Sequence, residues 1–196
     1  MGVSEIVMSN KAIFLDRDGT IIKHVELMHS VDDLRLLPGS ASAINTFNRL
    51  GYLVIIVTNQ PVVARGIVEP KEIDKIHEVL IERLHGRGAH IDRVYFCPHH
   101  PEATVSEYRL RCLCRKPEPG MILEGLKSLN INPDQSFMIG DALIDVVSGK
   151  KAGLKTILVK SGPGHARLDE KFNDIKSDFT VNTLLQAAKI VMANTI

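Results

Sequence analysis

The chain has 196 residues, a length that suits one domain, and we expect residues 1–196 to form a single unit. Hydrophobic residues make up 44% of the chain and charged residues 24%, which excludes a disordered or collagen-like protein. The formal net charge is +1, so the chain lacks the basic excess that is typical of a nucleic-acid-binding protein.

Short apolar runs alternate with amphipathic stretches along the chain. In chain order the pattern predicts a strand at 11–15, a helix at 38–50, a strand at 52–57, a helix at 70–87, a strand at 91–96, a helix at 119–129, a strand at 136–139, a helix at 142–152, strands at 155–159 and near 179–181, and a helix at 183–192. Strands that alternate with helices indicate an α/β fold with a mainly parallel sheet.

Polar residues directly follow several of these strands. The segment DRDGT follows the first strand, Thr58, Asn59 and Gln60 follow the second, and Asp141 follows the fourth. A long irregular segment, residues 97–117, follows the third strand. Because open parallel sheets bind ligands at the carboxyl ends of their strands, these residues predict one site at that edge of the sheet.

Carboxylates form the first group of candidate site residues. Asp16 and Asp18 are two residues apart just after a strand, and Asp141 and Asp145 follow another strand. A polar turn would use the same Asp-Gly chemistry. Converging carboxylates would repel each other without a cation between them, and oxygen ligands of this kind suit Mg²⁺.

Cysteines and a histidine form the second group. All three cysteines of the chain, Cys97, Cys112 and Cys114, lie within residues 97–114, and together with His99 they offer four ligands for a tetrahedral structural zinc ion. His100 is the alternative histidine ligand, and buried thiols without a metal are the alternative to zinc. A zinc ion here would brace a long loop.

Four segments in this order, FLDRDGT, VTNQ, RKPEPGM and IGDALID, resemble the motifs of the haloacid dehalogenase (HAD) phosphohydrolases and extend from residue 13 to residue 145. The resemblance implies a doubly wound, Rossmann-like α/β fold in which Asp16 is the nucleophile and Asp18 the general acid and base. It also implies that Mg²⁺ binds Asp16, the Asp18 main-chain carbonyl and Asp141. Thr58 and Lys116 would contact the phosphoryl oxygens.

The same resemblance implies that Asp145 would orient Lys116 or metal-bound water.

The segment FCPHHPEA and the later CLCRKPEPGM resemble the D-glycero-D-manno-heptose 1,7-bisphosphate phosphatases and the related histidinol-phosphate phosphatases. This resemblance implies that Arg115 recognises substrate, and we expect Asn59, Gln60 and Arg65 to do the same. The chain departs from the usual heptose-enzyme pattern at residues 24–27, 61–62 and 142.

We therefore expect a phosphatase of a small phosphosugar, with a heptose 1,7-bisphosphate as the first candidate substrate and histidinol phosphate as the second. The gaps between the motifs leave no room for a large cap domain, so the site should be open and walled by residues 22–29, 61–66 and the zinc loop. A zinc-braced binding protein without activity is the non-enzyme alternative. The sequence leaves the oligomeric state open.

Localisation and three weaker features complete the sequence interpretation. The longest apolar run, 53–57, is far shorter than the roughly 20 residues that span a bilayer. The first eleven residues contain Glu5 and no basic stretch before an apolar core, so we expect no signal peptide, no membrane partner and a cytoplasmic protein. His77 and His85 are predicted on an exposed or half-exposed helix face, and residues 162–165 as a turn.

Overall fold

The computed structural model describes residues 9–166, 172 and 174–195. The first eight residues, on which the signal-peptide expectation depends, lie outside this range. The strands are β1 (Ala12–Leu15), β2 (Leu53–Asn59), β3 (Arg93–Cys97), β4 (Phe137–Gly140), β5 (Lys155–Val159) and β6 (Phe179–Val181). The helices are α1 (Ser40–Arg49), α2 (Pro61–Ala64), α3 (Pro70–His85), α4 (Gly120–Ser128), α5 (Leu143–Lys151) and α6 (Leu184–Ala193).

The six strands form one sheet in the order β3-β2-β1-β4-β5-β6, and every pair is parallel. The first strand, β1, lies in the middle of the sheet, with β2 and β3 on one side of it and β4, β5 and β6 on the other. Strand order therefore reverses at β1, which places a crevice at its carboxyl end. The expected doubly wound α/β fold is confirmed.

Both faces of the sheet are covered, as in parallel sheets generally. Side chains alternate along β1: Ile13 and Leu15 belong to a core that includes residues of α1, α3 and α6, whereas Phe14 belongs to a second core that includes residues of α4. In α4, a Cβ added at Gly125 would lie 2.8 Å from the ring of Phe14, so this glycine lets the helix approach the sheet closely.

The predicted strands and helices agree with the observed ones to within two residues at each end. The largest difference for the site is that β2 continues to Asn59, because Thr58 and Asn59 pair with Phe96 and Cys97 of β3. The apolar pattern ends at Val57 and gave no sign of this extension. The short helix α2 and several 3-10 turns also went unpredicted, since they contain too few residues for a periodic pattern.

Among residues 9–166, no second sheet or helical bundle is inserted between β1 and β4, in agreement with the expected absence of a large cap domain. Within the part of the chain that the structure describes, no helix has the length and apolar character needed to cross a membrane.

Candidate active site and metal centre

Residues from four separate segments meet at the carboxyl end of the central strands. Asp16 directly follows β1, Thr58 lies near the end of β2, and Asp141 directly follows β4. Asp145 lies in the first turn of α5, and Lys116 reaches the site from the irregular segment that precedes α4. The backbone N–H of Asp16 donates to the carbonyl of Ile139 at 2.9 Å, which ties the start of this loop to β4.

Lys116 is a buried cation beside Asp16. Its Nζ lies 2.7 Å from Asp16 Oδ1 and 2.6 Å from Asp145 Oδ1, and it donates to the carbonyl of Val57 at 2.8 Å. Its side chain is only 2% exposed. Burial alone would lower the pKa of Lys116, but the carboxylates of Asp145 and Asp16 raise it above its ordinary value, so the ammonium stays charged.

Negative charge exceeds positive charge around this lysine. One carboxylate oxygen from each of Asp16, Asp141 and Asp145 lies within 4.8 Å of the others. Burial, partly offset by Lys116 and reinforced by the neighbouring carboxylates, raises the pKa of Asp16 to about 8. Burial and Asp145 likewise raise the pKa of Asp141 to about 6. This excess of buried negative charge fits a divalent cation, which would hold Asp16 and Asp141 ionised at neutral pH.

The two oxygens of Asp145 are already engaged by the protein. Oδ1 pairs with Lys116, and Oδ2 accepts a hydrogen bond from the backbone N–H of Ala142 at 3.0 Å. The side chain is 1% exposed. This geometry fits the expected role of orienting Lys116.

Thr58, Gln60 and Asp18 form a second hydrogen-bonded group beside Asp16. Gln60 Nε2 donates to Thr58 Oγ1 at 2.8 Å and to Asp18 Oδ2 at 3.0 Å. Because the Thr58 oxygen accepts from Gln60, its own hydroxyl proton is free to be donated into the cleft. Asp18 also accepts from Arg17, whose Nε and Nη2 lie 3.0 and 3.3 Å from its two oxygens.

The side chain of Asn59 turns to Lys116 and makes two hydrogen bonds with its backbone. Nδ2 donates to the Lys116 carbonyl and Oδ1 accepts from the Lys116 N–H, each at 3.0 Å. The amide therefore fixes the segment that carries the lysine. The substrate contact expected for Asn59 stays a prediction.

The segment after β5 packs directly against Asp141. Gly164 N–H donates to Asp141 Oδ2 at 2.8 Å, and Ser161 Oγ donates to the carbonyl of Gly19 at 2.7 Å. A Cβ at Gly162 would lie 2.1 Å from Asp141 Oδ2, and one at Gly19 would lie 2.6 Å from the same atom. The residues predicted as a turn thus lie largely in a 3-10 helix, Pro163–Ala166. This segment packs against Asp141 and supports its carboxylate.

The second cluster brings together Cys97, His99, Cys112 and Cys114. The three sulfur atoms lie 3.0–3.4 Å apart, too far for disulfides of about 2.05 Å. His99 Nδ1 lies 3.4 Å from the sulfur of Cys114 and 3.7 Å from that of Cys97. Three cysteine sulfurs and one imidazole nitrogen fit a closed tetrahedral zinc site. His100 is not in the cluster, since its Nδ1 accepts from the Glu102 N–H at 3.1 Å.

A cleft of about 850 Å³ opens above the carboxylates. Its walls include residues 24–28, residues 60–62, Arg65 and Arg115, in agreement with the expected open site. Arg115 Nη1 donates to the carbonyl of His99 at 3.0 Å, so the cysteine-histidine loop holds this guanidinium at the cleft. Arg65 is exposed on the same wall.

Two residues of the site were missed or misplaced by the sequence interpretation. His77 was predicted on an exposed or half-exposed face, which is wrong: it is 5% exposed, packed against Phe96 and hydrogen-bonded to Arg17. The spacing of Ile73, Ile76 and Leu80 would have placed it on the buried face of α3. Arg17, which is fully buried, carried no sequence signal beyond its place between two aspartates.

The comparisons with known proteins place these features in a family. A family model described as HAD-hydrolase-like matches residues 113–187. The D-glycero-beta-D-manno-heptose-1,7-bisphosphate 7-phosphatase of Pasteurella multocida is 44% identical over 153 residues, which are 78% of this chain and 83% of that protein. The enzyme of the same name from Haemophilus ducreyi is 38% identical over 186 residues, covering 94% of this chain and all of the relative.

Solved structures give the same result. The crystal structure of D,D-heptose 1,7-bisphosphate phosphatase from B. bronchiseptica, complexed with magnesium and phosphate, superposes with a TM-score of 0.81 at 28% identity. The match covers 94% of this chain and 99% of that one. Relatives more than 30% identical match most of the chain. The chain therefore belongs to the HAD-like phosphatase family that includes the heptose-1,7-bisphosphate 7-phosphatases.

Proposed function

We propose that the site hydrolyses a phosphate monoester through an aspartyl-phosphate on Asp16. The observation that carries this proposal is the buried Asp16 carboxylate, which ends the central strand and is held by Lys116 at 2.7 Å. Asp16 attacks phosphorus, and the bond from phosphorus to the leaving oxygen breaks as Asp18 gives that oxygen its proton. Asp18 then takes a proton from the water that attacks the same phosphorus, which releases phosphate and restores Asp16.

Thr58 and Lys116 compensate charge on the transferred group. The free hydroxyl proton of Thr58 can be donated to a phosphoryl oxygen, since Gln60 occupies the acceptor side. Lys116 donates to Asp16 and to the Val57 carbonyl and forms an ion pair with Asp145. When Asp16 bonds to phosphorus, the Lys116 N–H that it had accepted becomes available to a phosphoryl oxygen.

Asp16, the main-chain carbonyl of Asp18 and Asp141 would hold the magnesium ion. The metal supplies Lewis-acid polarisation of the phosphate and cancels negative charge in the site. The support comes from the three clustered carboxylates and from the magnesium-bound relative. Gly164 would orient Asp141 through its N–H.

Cys97, His99, Cys112 and Cys114 would hold a structural zinc ion, because the four donors leave no open position for substrate. The metal would brace residues 97–116 and so hold Arg115 at the cleft. We also propose that residues 1–196 form one domain, supported by the single sheet that spans the described residues.

The substrate that we propose is D-glycero-β-D-manno-heptose 1,7-bisphosphate, cleaved at the 7-phosphate. The relatives are D-glycero-beta-D-manno-heptose-1,7-bisphosphate 7-phosphatases, which supports this choice, and the open cleft has space for an extended phosphosugar. With the 7-phosphate at Asp16, Arg115 and Arg65 would bind the 1-phosphate, since guanidinium groups pair with phosphate oxygens bidentately.

Substitution of the nucleophile tests the reaction. Asp16→Asn should abolish phosphate release while keeping the thermal midpoint, because the amide has the same shape and cannot form the acyl phosphate. The control is Asp74→Asn, an exposed carboxylate on α3, which should retain wild-type activity. Near wild-type turnover by Asp16→Asn would exclude the covalent mechanism.

A substrate panel tests the specificity. The bisphosphate should be hydrolysed with a higher kcat/KM than the heptose monophosphates. Arg115→Ala should lower kcat/KM for the bisphosphate about tenfold or more, since hydrogen bonds to a charged group contribute about 1.5–3 kcal/mol. A small aryl phosphate should change about twofold at most. Arg111→Ala, an exposed arginine of the same loop, is the control. Equal kcat/KM for mono- and bisphosphate, or a preference for histidinol phosphate, would reject this substrate.

A further inference from the structure

Arg17 is a fully buried cation beside the proposed acid-base residue. Its side chain is 0% exposed. A charged group in the interior needs both an opposite charge and hydrogen-bond partners for its donors. The only carboxylate that Arg17 contacts in the described part of the chain is Asp18, through Nε at 3.0 Å and Nη2 at 3.3 Å. The guanidinium therefore binds both oxygens of Asp18, a two-point contact that restricts the carboxylate rotamer.

The other polar contacts of the Arg17 guanidinium are with neutral groups, and besides a weak contact of Nη2 with the Met28 sulfur at 3.9 Å there are two of them. Nη2 also donates to Gln60 Oε1 at 2.9 Å, and Nη1 lies 3.1 Å from His77 Nε2. Gln60 in turn donates to Asp18 Oδ2. Arg17, Gln60 and Asp18 thus close a ring of hydrogen bonds, and His77 fixes the guanidinium from the side opposite to the carboxylate.

The protonation state of His77 follows from its partner. Arginine can only donate, so His77 Nε2 must accept, which requires the neutral imidazole with its proton on Nδ1. Burial, together with the charge of Arg17, lowers the pKa of His77 to about 3. The ring packs against Phe96 of β3 with centroids 5.6 Å apart, so α3 and the sheet hold it in place.

We propose that His77 and Arg17 are positioning residues for the phosphatase reaction: His77 orients the guanidinium of Arg17, and Arg17 orients the Asp18 carboxylate toward the leaving oxygen and the attacking water. This inference rests on the proposed function, in which Asp18 is the acid and base. Neither residue would touch the substrate. Loss of the contact should therefore slow the steps in which Asp18 acts as acid or base.

The test compares two leaving groups in His77→Leu. A sugar phosphate has a poor leaving group that needs the acid, so its kcat should fall about tenfold or more, with KM changed about threefold at most. p-Nitrophenyl phosphate needs little acid to form the aspartyl-phosphate but still needs the base to break it down. With this substrate the variant should release a rapid burst approaching one p-nitrophenolate per chain, followed by slow turnover.

His77→Gln is the conservative variant, because its side-chain carbonyl can accept from Arg17, and it should recover most of the kcat on the sugar phosphate. His85→Leu, at the exposed end of the same helix, should behave as wild type. Equal losses on both substrates without a burst, or His77→Gln as slow as His77→Leu, would show a purely structural role and overturn the proposal.

Asp18→Asn, measured in parallel, distinguishes failure of the positioning role from failure of the acid-base assignment. If Asp18→Asn loses turnover of the sugar phosphate and shows the p-nitrophenolate burst, and His77→Leu does neither, the positioning role fails and the proposed mechanism stands. If Asp18→Asn shows no p-nitrophenolate burst and slows both substrates equally, the acid-base assignment fails, and the role of His77 fails with it.

Discussion

Replacing Lys116 by methionine should destabilise the protein, because it leaves two carboxylates without their shared cation. Lys116 pairs with Asp16 at 2.7 Å and with Asp145 at 2.6 Å, and the side chains of the three residues are 2%, 11% and 1% exposed, respectively. Removing one partner of a buried pair costs about 3–5 kcal/mol. For a chain of this size each kcal/mol shifts the thermal midpoint by roughly 2–4 °C, so we expect a loss of about 6–20 °C.

A second substitution distinguishes electrostatics from packing. In Lys116→Met with Asp145→Asn, one uncompensated charge disappears, while the new amide oxygen can still accept from the Ala142 N–H. The double variant should recover about half or more of the lost stability. Phosphate release should be absent in both the single and the double variant, because neither has the Lys116 ammonium beside Asp16.

The matched control is a surface ion pair of the same length. Lys151 Nζ lies 2.7 Å from Glu118 Oε1, with both side chains about 40% exposed. Lys151→Met should cost less than about 1 kcal/mol, since exposed pairs are screened by water. Differential scanning calorimetry without added metal measures all four proteins. A Lys116→Met midpoint within about 2 °C of wild type, or a double variant no more stable than the single one, would refute the reasoning.

Two further predictions concern the metals. Gly162→Ala should raise the Mg²⁺ concentration for half-maximal activity about tenfold, because its Cβ would lie 2.1 Å from Asp141 Oδ2. The control is Gly86→Ala, whose Cβ would lie 3.4 Å from its nearest neighbour. An unchanged Mg²⁺ titration for Gly162→Ala would contradict this prediction. Elemental analysis should find about one zinc per chain, and Cys114→Ser should lose it and lower the thermal midpoint. A zinc-free, fully stable wild type would exclude a structural metal.

The sequence predicted the sheet and the carboxylates well because both depend on local patterns. Short apolar runs define the buried strands, and the carboxyl ends of parallel strands necessarily share one edge. Asp16 and Asp141 could therefore be placed together from sequence alone. The cysteine spacing also predicted a cluster, although it could not decide between His99 and His100. That choice depends on the direction of each side chain, which the structure resolves through the His99 contacts.

The sequence patterns could not predict the contacts between distant segments. Asn59 was expected to face substrate, and nothing near it in the chain indicates that Lys116 returns to pair with its amide. The burial of His77 could have been read from helical spacing, but its partner Arg17 lies 60 residues away. These polar residues obtain their roles from the topology, which decides which loop ends meet.

Three consecutive residues connect the cysteine cluster to the nucleophile. Cys114 belongs to the cluster, Arg115 lines the cleft and Lys116 contacts Asp16. Their Cα atoms span at most about 7 Å, so movement of the cluster must be absorbed within two peptide units. Lys116 is also held by Asn59, whereas Arg115 is bonded to the His99 carbonyl of the cluster itself. Loss of zinc should therefore disturb Arg115 first, raising KM for the bisphosphate before it lowers kcat.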